Sequence, residues 1–481
     1  MRVTLFIVLI LAFLFPENLL SQANWNNSSF VHQGGKYILD GNNDTIRLNG
    51  VNLGGWLMWE GWIWGGGFIQ EKSIYNDIES IIGTTEADAF RDSVYENYIT
   101  EEDIAAISAQ CHNVVRIPFN HFILEDDFNP YVYKQSGWDR LDSVLSWCEN
   151  HNVYAILDLH SAPGGQSNLF TSDPDLFINL WNGSINQQRT YRLWKAIALR
   201  YKDRGIIAGY DLLNEPDVNN DSTLLYVYQN IRDSIRSVDT NHMLFIEGNN
   251  YAEDFSMFTS PLDNNMAYEF HFYTWFISSG KADSLAKFTT LADTSNIPVW
   301  CGEWGEENYT ALSENKALFD DPANSISGSA IWTWKKVIKP SAQPYYVGVD
   351  TTSDWNKSVN WIGMNWNPQP SYSEMTNGIN EFINNLSLAN ANFNTALNDI
   401  VYNCLNAGLD QNSMEDGFLI YPNPATEILY LNTTSNIKIL DLSGKELMVL
   451  NMTNKIDISE LEAGTYILIR DDGKYQKFIK Q

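Results

Sequence analysis

The stretch GIIAGYDLLNEP, residues 205–216, runs from a glycine through an apolar, strand-like segment into an asparagine and a glutamate, and stops at a proline. A carboxylate at the end of a buried strand is costly unless it has partners or a task. Segments of the same build recur: IRLNGVNLGG (46–55), NVVRIPF (113–119), VYAILDLH (153–160), IAGYDLLNEP (207–216), HMLFIEGN (242–249), MAYEFHFY (266–273), IPVWCGEW (297–304) and SGSAIWTW (327–334). Amphipathic stretches such as WDRLDSVLSWCENH (138–151) separate them. Eight apolar runs alternating with helix-like segments predict an α/β fold of the (β/α)8 barrel kind, whose parallel strands are buried on both faces. A doubly wound sheet would want a glycine fingerprint after an early strand. The one candidate, GGG at 65–67, lacks the GxGxxG form.

In a barrel, the polar residues at the strand ends project toward the C-terminal mouth, where active sites sit. That mouth would collect Arg116, His160, Asn214, Glu215, His271, Tyr273, Glu303 and Trp334. Glu215 and Glu303 end the fourth and seventh strands and face each other across it. Two carboxylates flanking one bond are what glycoside hydrolysis requires: one protonates the leaving oxygen, and the other attacks the anomeric carbon or activates water. Arg116 beneath a carboxylate would keep it ionised, and Asn214 could donate to a sugar 2-hydroxyl. Taken singly, His160 and His271 read as core histidines, Arg116 as evenly a structural ion-pair partner or a site residue, and WEGWIWGGGF (59–68) as equally a packed lid over the rim or a set of sugar platforms. Asp158 and Asp211 read as structural, and Glu247 ranks below Glu303. No third ligand is spaced for a metal held by the two histidines, so no metal or organic cofactor is expected.

Composition points the same way. The 481 residues carry a net charge of −29, which repels nucleic acid and anionic membranes. The 17 Trp and 24 Tyr suit a neutral ligand with flat apolar faces, such as a pyranose, although many such rings belong to cores. Residues 1–23, with Arg2 before the apolar run VTLFIVLILAFLF and a closing SQA, read as a cleavable export signal, and no later stretch is apolar enough to span a bilayer. Cys111, Cys148, Cys301 and Cys404 form no metal pattern and are expected to be buried free thiols, although export permits a disulfide.

The strand-end motifs resemble glycoside hydrolase family 5, a family of retaining β-glycosidases built on (β/α)8 barrels, over roughly residues 49–335. The resemblance implies that Glu215 of LLNEP is the acid/base and Glu303 of CGEWG the nucleophile. It implies sugar-binding and supporting roles for Arg116 in VRIPF, His160 in DLHSAPGGQ, Asn214, His271 and Tyr273 in HFY, and Trp334 in WTWKK. VNLGGWLMWEGWI, DLHSAPGGQ and WTWKK look most like the exo-acting β-1,3-glucanases of fungi, which implies that Glu60 touches the terminal glucose. The fungal pattern has proline where Gly61 stands. The expected substrate is therefore a β-glucan polysaccharide or oligosaccharide, preferably β-1,3-linked. An endo-β-1,4-glucanase is the runner-up, and a non-catalytic glycan-binding barrel would be expected to have lost one of the two glutamates.

Every tryptophan lies at or before Trp366. The expected layout is a signal at 1–23, a catalytic barrel at 24–408, a polar linker LDQNSMEDG at 409–417 and a small β-sandwich at 418–481. The last segment carries 7 Lys and Arg against 8 Asp and Glu, and its short alternating runs are broken by turn residues. YPNPATEILYL, IKILDLSGKEL, IDISELEAGTYILI and KYQKFIKQ, in that order, resemble the C-terminal sorting domain of the type IX secretion system. That resemblance implies export to the cell surface or medium, with the secretion machinery as partner.

Overall fold

The computed structural model describes residues 29–401, save 175–177, 276, 278–279, 340–343 and 365–366, together with Trp25 and, in the last segment, 420–421, 425, 428–441, 445–462, 464–471 and 475–480. The expected signal at 1–23 and linker at 409–417 lie outside the described residues. Eight parallel strands close into a barrel: Gly50–Asn52, Val114–Asn120, Tyr154–Ser161, Ile207–Asp211, Met243–Glu247, Met266–Tyr273, Val299–Gly305 and Ile326–Ile331. They are called the first to eighth strands below. Closure is direct, with Ala330 and Ile331 of the eighth strand paired to Gly50 and Val51 of the first. Every residue of the eight strands is buried except Tyr273, which is half-buried, as a sheet covered on both faces requires. Gly50 is obligatory at the seam: a Cβ there would sit 1.8 Å from the Val114 carbonyl oxygen.

Helices form where the apolar spacing is three and four. Gln135–His151 buries Trp138, Leu141, Val144, Leu145 and Cys148 along one stripe against the barrel and ends on a left-handed Asn152. The first crossover is long. Its helices Glu71–Ile82, Thr84–Asn97 and Glu101–Ala109 follow the loop that carries Glu60 over the rim. A capping box, Ser371 with Glu374, opens the helix Tyr372–Asn385, whose Phe382 stacks on Trp355 at 4.0 Å. At the opposite end, a sheet of His32–Gly34, Tyr37–Leu39 and Thr45–Ile46 reaches the start of the sixth strand, where the Met266 amide donates to Gln33.

The last segment is a five-stranded antiparallel sheet with a core of its own, built from Leu429, Leu431, Ile437, Ile439, Ile456, Leu468 and Phe478, in keeping with a small sandwich. Cys148 and Cys301 are buried free thiols as expected. Cys111 departs from the expectation: it is disulfide-bonded, which an exported chain permits, and its partner lies outside the described residues. Among the described residues no helix is long and apolar enough to cross a membrane.

Candidate active site

Arg116, on the second strand, is fully buried and forms the floor of the barrel mouth. Its guanidinium donates to Asp211 at 2.7 and 2.9 Å, Glu303 at 2.7 Å, Asn214 at 2.9 Å, and Glu247 and Asn52 at 3.2 Å. Asp158 lies 3.1 Å and Glu269 3.0 Å away. Burial alone would strip a proton from the guanidinium, but Asp158, Asp211, Glu269 and Glu303 reverse this and bind the proton more tightly. Five carboxylates around one cation are a surplus. Burial pushes Asp211 and Glu269 well above the usual carboxylate range, favouring their neutral forms. Glu269 fits because residue 302 is glycine, where a Cβ would come within 1.7 Å of its carboxylate.

Above this floor sit Glu303, from the seventh strand, and Glu215, four residues beyond the end of the fourth. Glu303 accepts from Arg116 through one oxygen and from the Tyr273 hydroxyl, at 3.0 Å, through the other. Burial opposes its ionisation, but His271, Arg116, His160 and Tyr273 outweigh burial and hold its carboxyl below the ordinary range. Glu215 takes a left-handed backbone, φ +43°, rare for a residue with a side chain. Its amide is held at 2.6 Å by Glu247 Oε2, which fixes that turn. His271 Nδ1 lies 2.9 Å from Glu215 Oε1 and 3.5 Å from Glu303 Oε2, and its Nε2 lies 3.4 Å from Glu247. Burial would lower the pKa of this imidazole, yet Glu303, Glu247 and Glu215 raise it above the ordinary value. One oxygen of Glu215 and one of Glu303 lie within 4.8 Å of each other.

One wall combines Glu60, His160 and Trp332. Asp158 holds His160 Nδ1 at 2.7 Å, and the pKa of the ring, which burial would lower, is raised to about 10 mainly by Asp158. Trp332 stacks on His160, with centroids 5.3 Å apart and planes 11° from parallel. Glu60 accepts from the Trp62 indole at 2.6 Å, and burial shifts its carboxyl upward. Glu60 Oε1 and His160 Nε2, 3.7 Å apart, are buried with no hydrogen-bond partner among the described residues, as is Asn214 Nδ2. Glu60, His160 and Trp332 line a pocket of about 240 Å³ together with Trp62, Phe68, Phe170, Glu215, Tyr273, Trp275 and Glu303.

The structure thus brings Glu60, Arg116, His160, Asn214, Glu215, His271, Tyr273 and Glu303 together, but not Trp334. The eighth strand stops at Ile331, so the residue at its mouth is Trp332. Trp334 turns away: it is fully buried, donates its indole N–H to Asp103 at 2.8 Å, and packs on Tyr346 and Phe393. Reading SGSAIWTW as one strand carries the register two residues too far. Glu247 has more to do than its low ranking implies, since it braces Glu215 through the backbone. Only its position at the end of the fifth strand hinted at that.

A family profile described as Cellulase (glycosyl hydrolase family 5) matches residues 78–337, and one described as Secretion system C-terminal sorting domain matches residues 419–481. A Beta-xylosidase of Phanerodontia chrysosporium is 32% identical over 345 residues, 64% of this chain and 71% of its own length. Endoglucanase C of Acetivibrio thermocellus is 29% identical over 232 residues, 47% of this chain and 57% of its own, so the match spans little more than half of that relative. A Probable glucan 1,3-beta-glucosidase A of Aspergillus niger is 29% identical over 292 residues, 56% of this chain and 68% of its own. The solved structure of a rutinosidase from Aspergillus niger shares the fold, with a TM-score of 0.51 and 17% identity over 70% of this chain and 98% of that one. The closed barrel, the paired glutamates at its mouth and a profile covering more than half the sequence agree: the chain belongs to glycosyl hydrolase family 5 and is a glycoside hydrolase that carries a C-terminal secretion sorting domain.

Proposed function

We propose that the protein is an exported, retaining β-glycosidase that cleaves terminal glucosyl units from β-glucan, with β-1,3 linkages preferred. The approach of one oxygen of Glu215 to within 4.8 Å of one of Glu303 supports the retaining part of this reading. Retaining pairs stand about 5–5.5 Å apart, whereas inverting pairs need about 6.5–9.5 Å to admit a water. Glu303, ionised and steadied by Arg116 and Tyr273, attacks the anomeric carbon. Glu215 gives its proton to the leaving oxygen and then takes one from the incoming water, so the product keeps the β configuration. Asn214 Nδ2 is free to donate to the 2-hydroxyl, and Glu60 with His160 to hold hydroxyls farther round the ring. The domain at 418–481 serves export, leaving catalysis to residues 24–408.

Replacing Glu215 with alanine tests the assignment. An aryl β-glucoside with a good leaving group needs little acid help, so the covalent intermediate should still form and accumulate. Added azide should restore turnover and give the β-glycosyl azide. An α-configured azide would reverse the roles of the two glutamates. Trp332→Ala should raise KM and lower kcat/KM by about 10- to 100-fold, because stacking there also orients the reacting ring. Trp334→Ala should instead cost about 3–5 kcal/mol of stability, read as a loss in thermal melting. Unchanged kinetics in Trp332→Ala would remove it from the sugar site.

The 32% identity to a Beta-xylosidase favours a second reading, in which the terminal sugar is xylose. Comparing kcat/KM for 4-nitrophenyl β-glucoside and β-xyloside separates the two.

A further inference from the structure

Just past the fifth strand, Asn250, Tyr251 and Ala252 all take the left-handed backbone, with φ of +54°, +61° and +62°. Each such residue is costly when it carries a side chain, and the other left-handed positions among the described non-glycine residues stand singly. A run of three persists only where its surroundings hold it. Here the surroundings are the loop that begins with Glu215. A right-handed turn would send the Tyr251 amide back to the Glu247 carbonyl, which instead accepts from the Tyr228 hydroxyl at 3.0 Å. The left-handed run turns that amide outward, and it donates to the Pro216 carbonyl at 3.2 Å.

Contacts then follow the loop residue by residue. Glu215 donates its amide to Glu247, Pro216 accepts from the Tyr251 amide, and Asp217 accepts from the Tyr251 hydroxyl at 3.1 Å. Val218 is bonded through both of its backbone groups, at 2.9 and 3.0 Å, to the side-chain amide of Asn249. That buried amide stands in for a strand edge, and its nitrogen also donates to Asp221, at 2.7 Å, where the next helix begins. Neither Asn249 nor Tyr251 lines the catalytic pocket, so their effect on the reaction passes through the loop they grip.

We propose that Asn249 and Tyr251 are positioning residues, and that the left-handed turn they frame sets where the Glu215 carboxyl meets the leaving oxygen. The inference rests on the acid/base role given to Glu215 above. An acid must stand within hydrogen-bond reach of the oxygen it protonates, and a displacement of about 1 Å can cost about 100-fold in rate.

A misplaced acid shows itself in the leaving group. The more basic the departing oxygen, the more acid help the first step needs, so aryl β-glycosides of one sugar, from 2,4-dinitrophenyl to 4-methoxyphenyl, grade the demand. In Asn249→Ala, kcat/KM should fall by about 10- to 100-fold on the 4-methoxyphenyl glycoside and by less than about threefold on the dinitrophenyl one. Tyr251→Phe loses one hydrogen bond and keeps the backbone contact, so it should melt like wild type and shift the same ratio by about two- to fivefold. A merely structural role would lower the melting temperature and scale every substrate alike. Should Asn249→Ala not fold, Tyr251→Phe carries the test. An equal loss across the series, or none, in the folded variants would overturn the inference. Glu215→Ala on the same series separates it from the reading beneath it. If that variant is selective by leaving group and the other two are not, the clamp alone falls. If Glu215→Ala loses every substrate equally, the acid/base assignment falls and takes the clamp with it.

Discussion

Glu303→Ala should lower kcat/KM by roughly four to six powers of ten on every substrate, activated aryl glycosides included, while the protein stays folded. The loss is general because no leaving group, however good, spares the enzyme the need for a nucleophile. The fold survives because Arg116 keeps other acceptors: Asp158, Asp211, Glu247 and Glu269 still surround it after Glu303 is gone. The contrast with Glu215→Ala, selective by leaving group and rescued by azide, is the signature of divided roles. Activity of Glu303→Ala within tenfold of wild type, in protein that melts like wild type, would contradict the assignment.

Arg116→Ala should have the opposite character, a collapse of stability before any question of rate. Removing one partner from a buried ion pair costs about 3–5 kcal/mol, and this guanidinium serves five carboxylates at once. A stability margin of about 5–15 kcal/mol would be largely consumed. Arg116→Lys keeps the charge but offers one ammonium where the five carboxylates, with Asn52 and Asn214, need a planar fork, so it should also melt well below wild type. In that variant the carboxylates bind protons more readily when folded than when unfolded. Its deficit should therefore shrink as pH falls from 8 to 5, which denaturant titrations at the two pH values can measure. An equal deficit at both would show that packing, not charge, is what Arg116 supplies.

The barrel was legible because burial on both faces leaves uninterrupted apolar runs, and each of the eight runs overlaps one barrel strand. The charged site was legible for a related reason: a polar residue ending such a run has few places to go but the mouth. What escaped depends on contacts between runs. The eighth strand ends at Ile331 because Trp332 turns to stack on His160, and nothing local in IWTW says which tryptophan does so. The service Glu247 performs for the Glu215 amide requires the left-handed backbone at Glu215, set by the whole mouth rather than by LLNEP alone. The place of Glu269 depends on a missing Cβ at Gly302, one strand away. The pairing of Cys111 could not be read from spacing, since four widely separated cysteines allow every combination.

The central claim is double displacement by Glu303 and Glu215, and the stereochemistry of the first product tests it most directly. Proton NMR of wild-type enzyme acting on an aryl β-glycoside, recorded before mutarotation, should show the β-anomer of the released sugar appearing first and the α-anomer growing in later. If the α-anomer appears first, water attacks the sugar directly, and the close pairing of the two carboxylates does not carry the chemistry assigned to it.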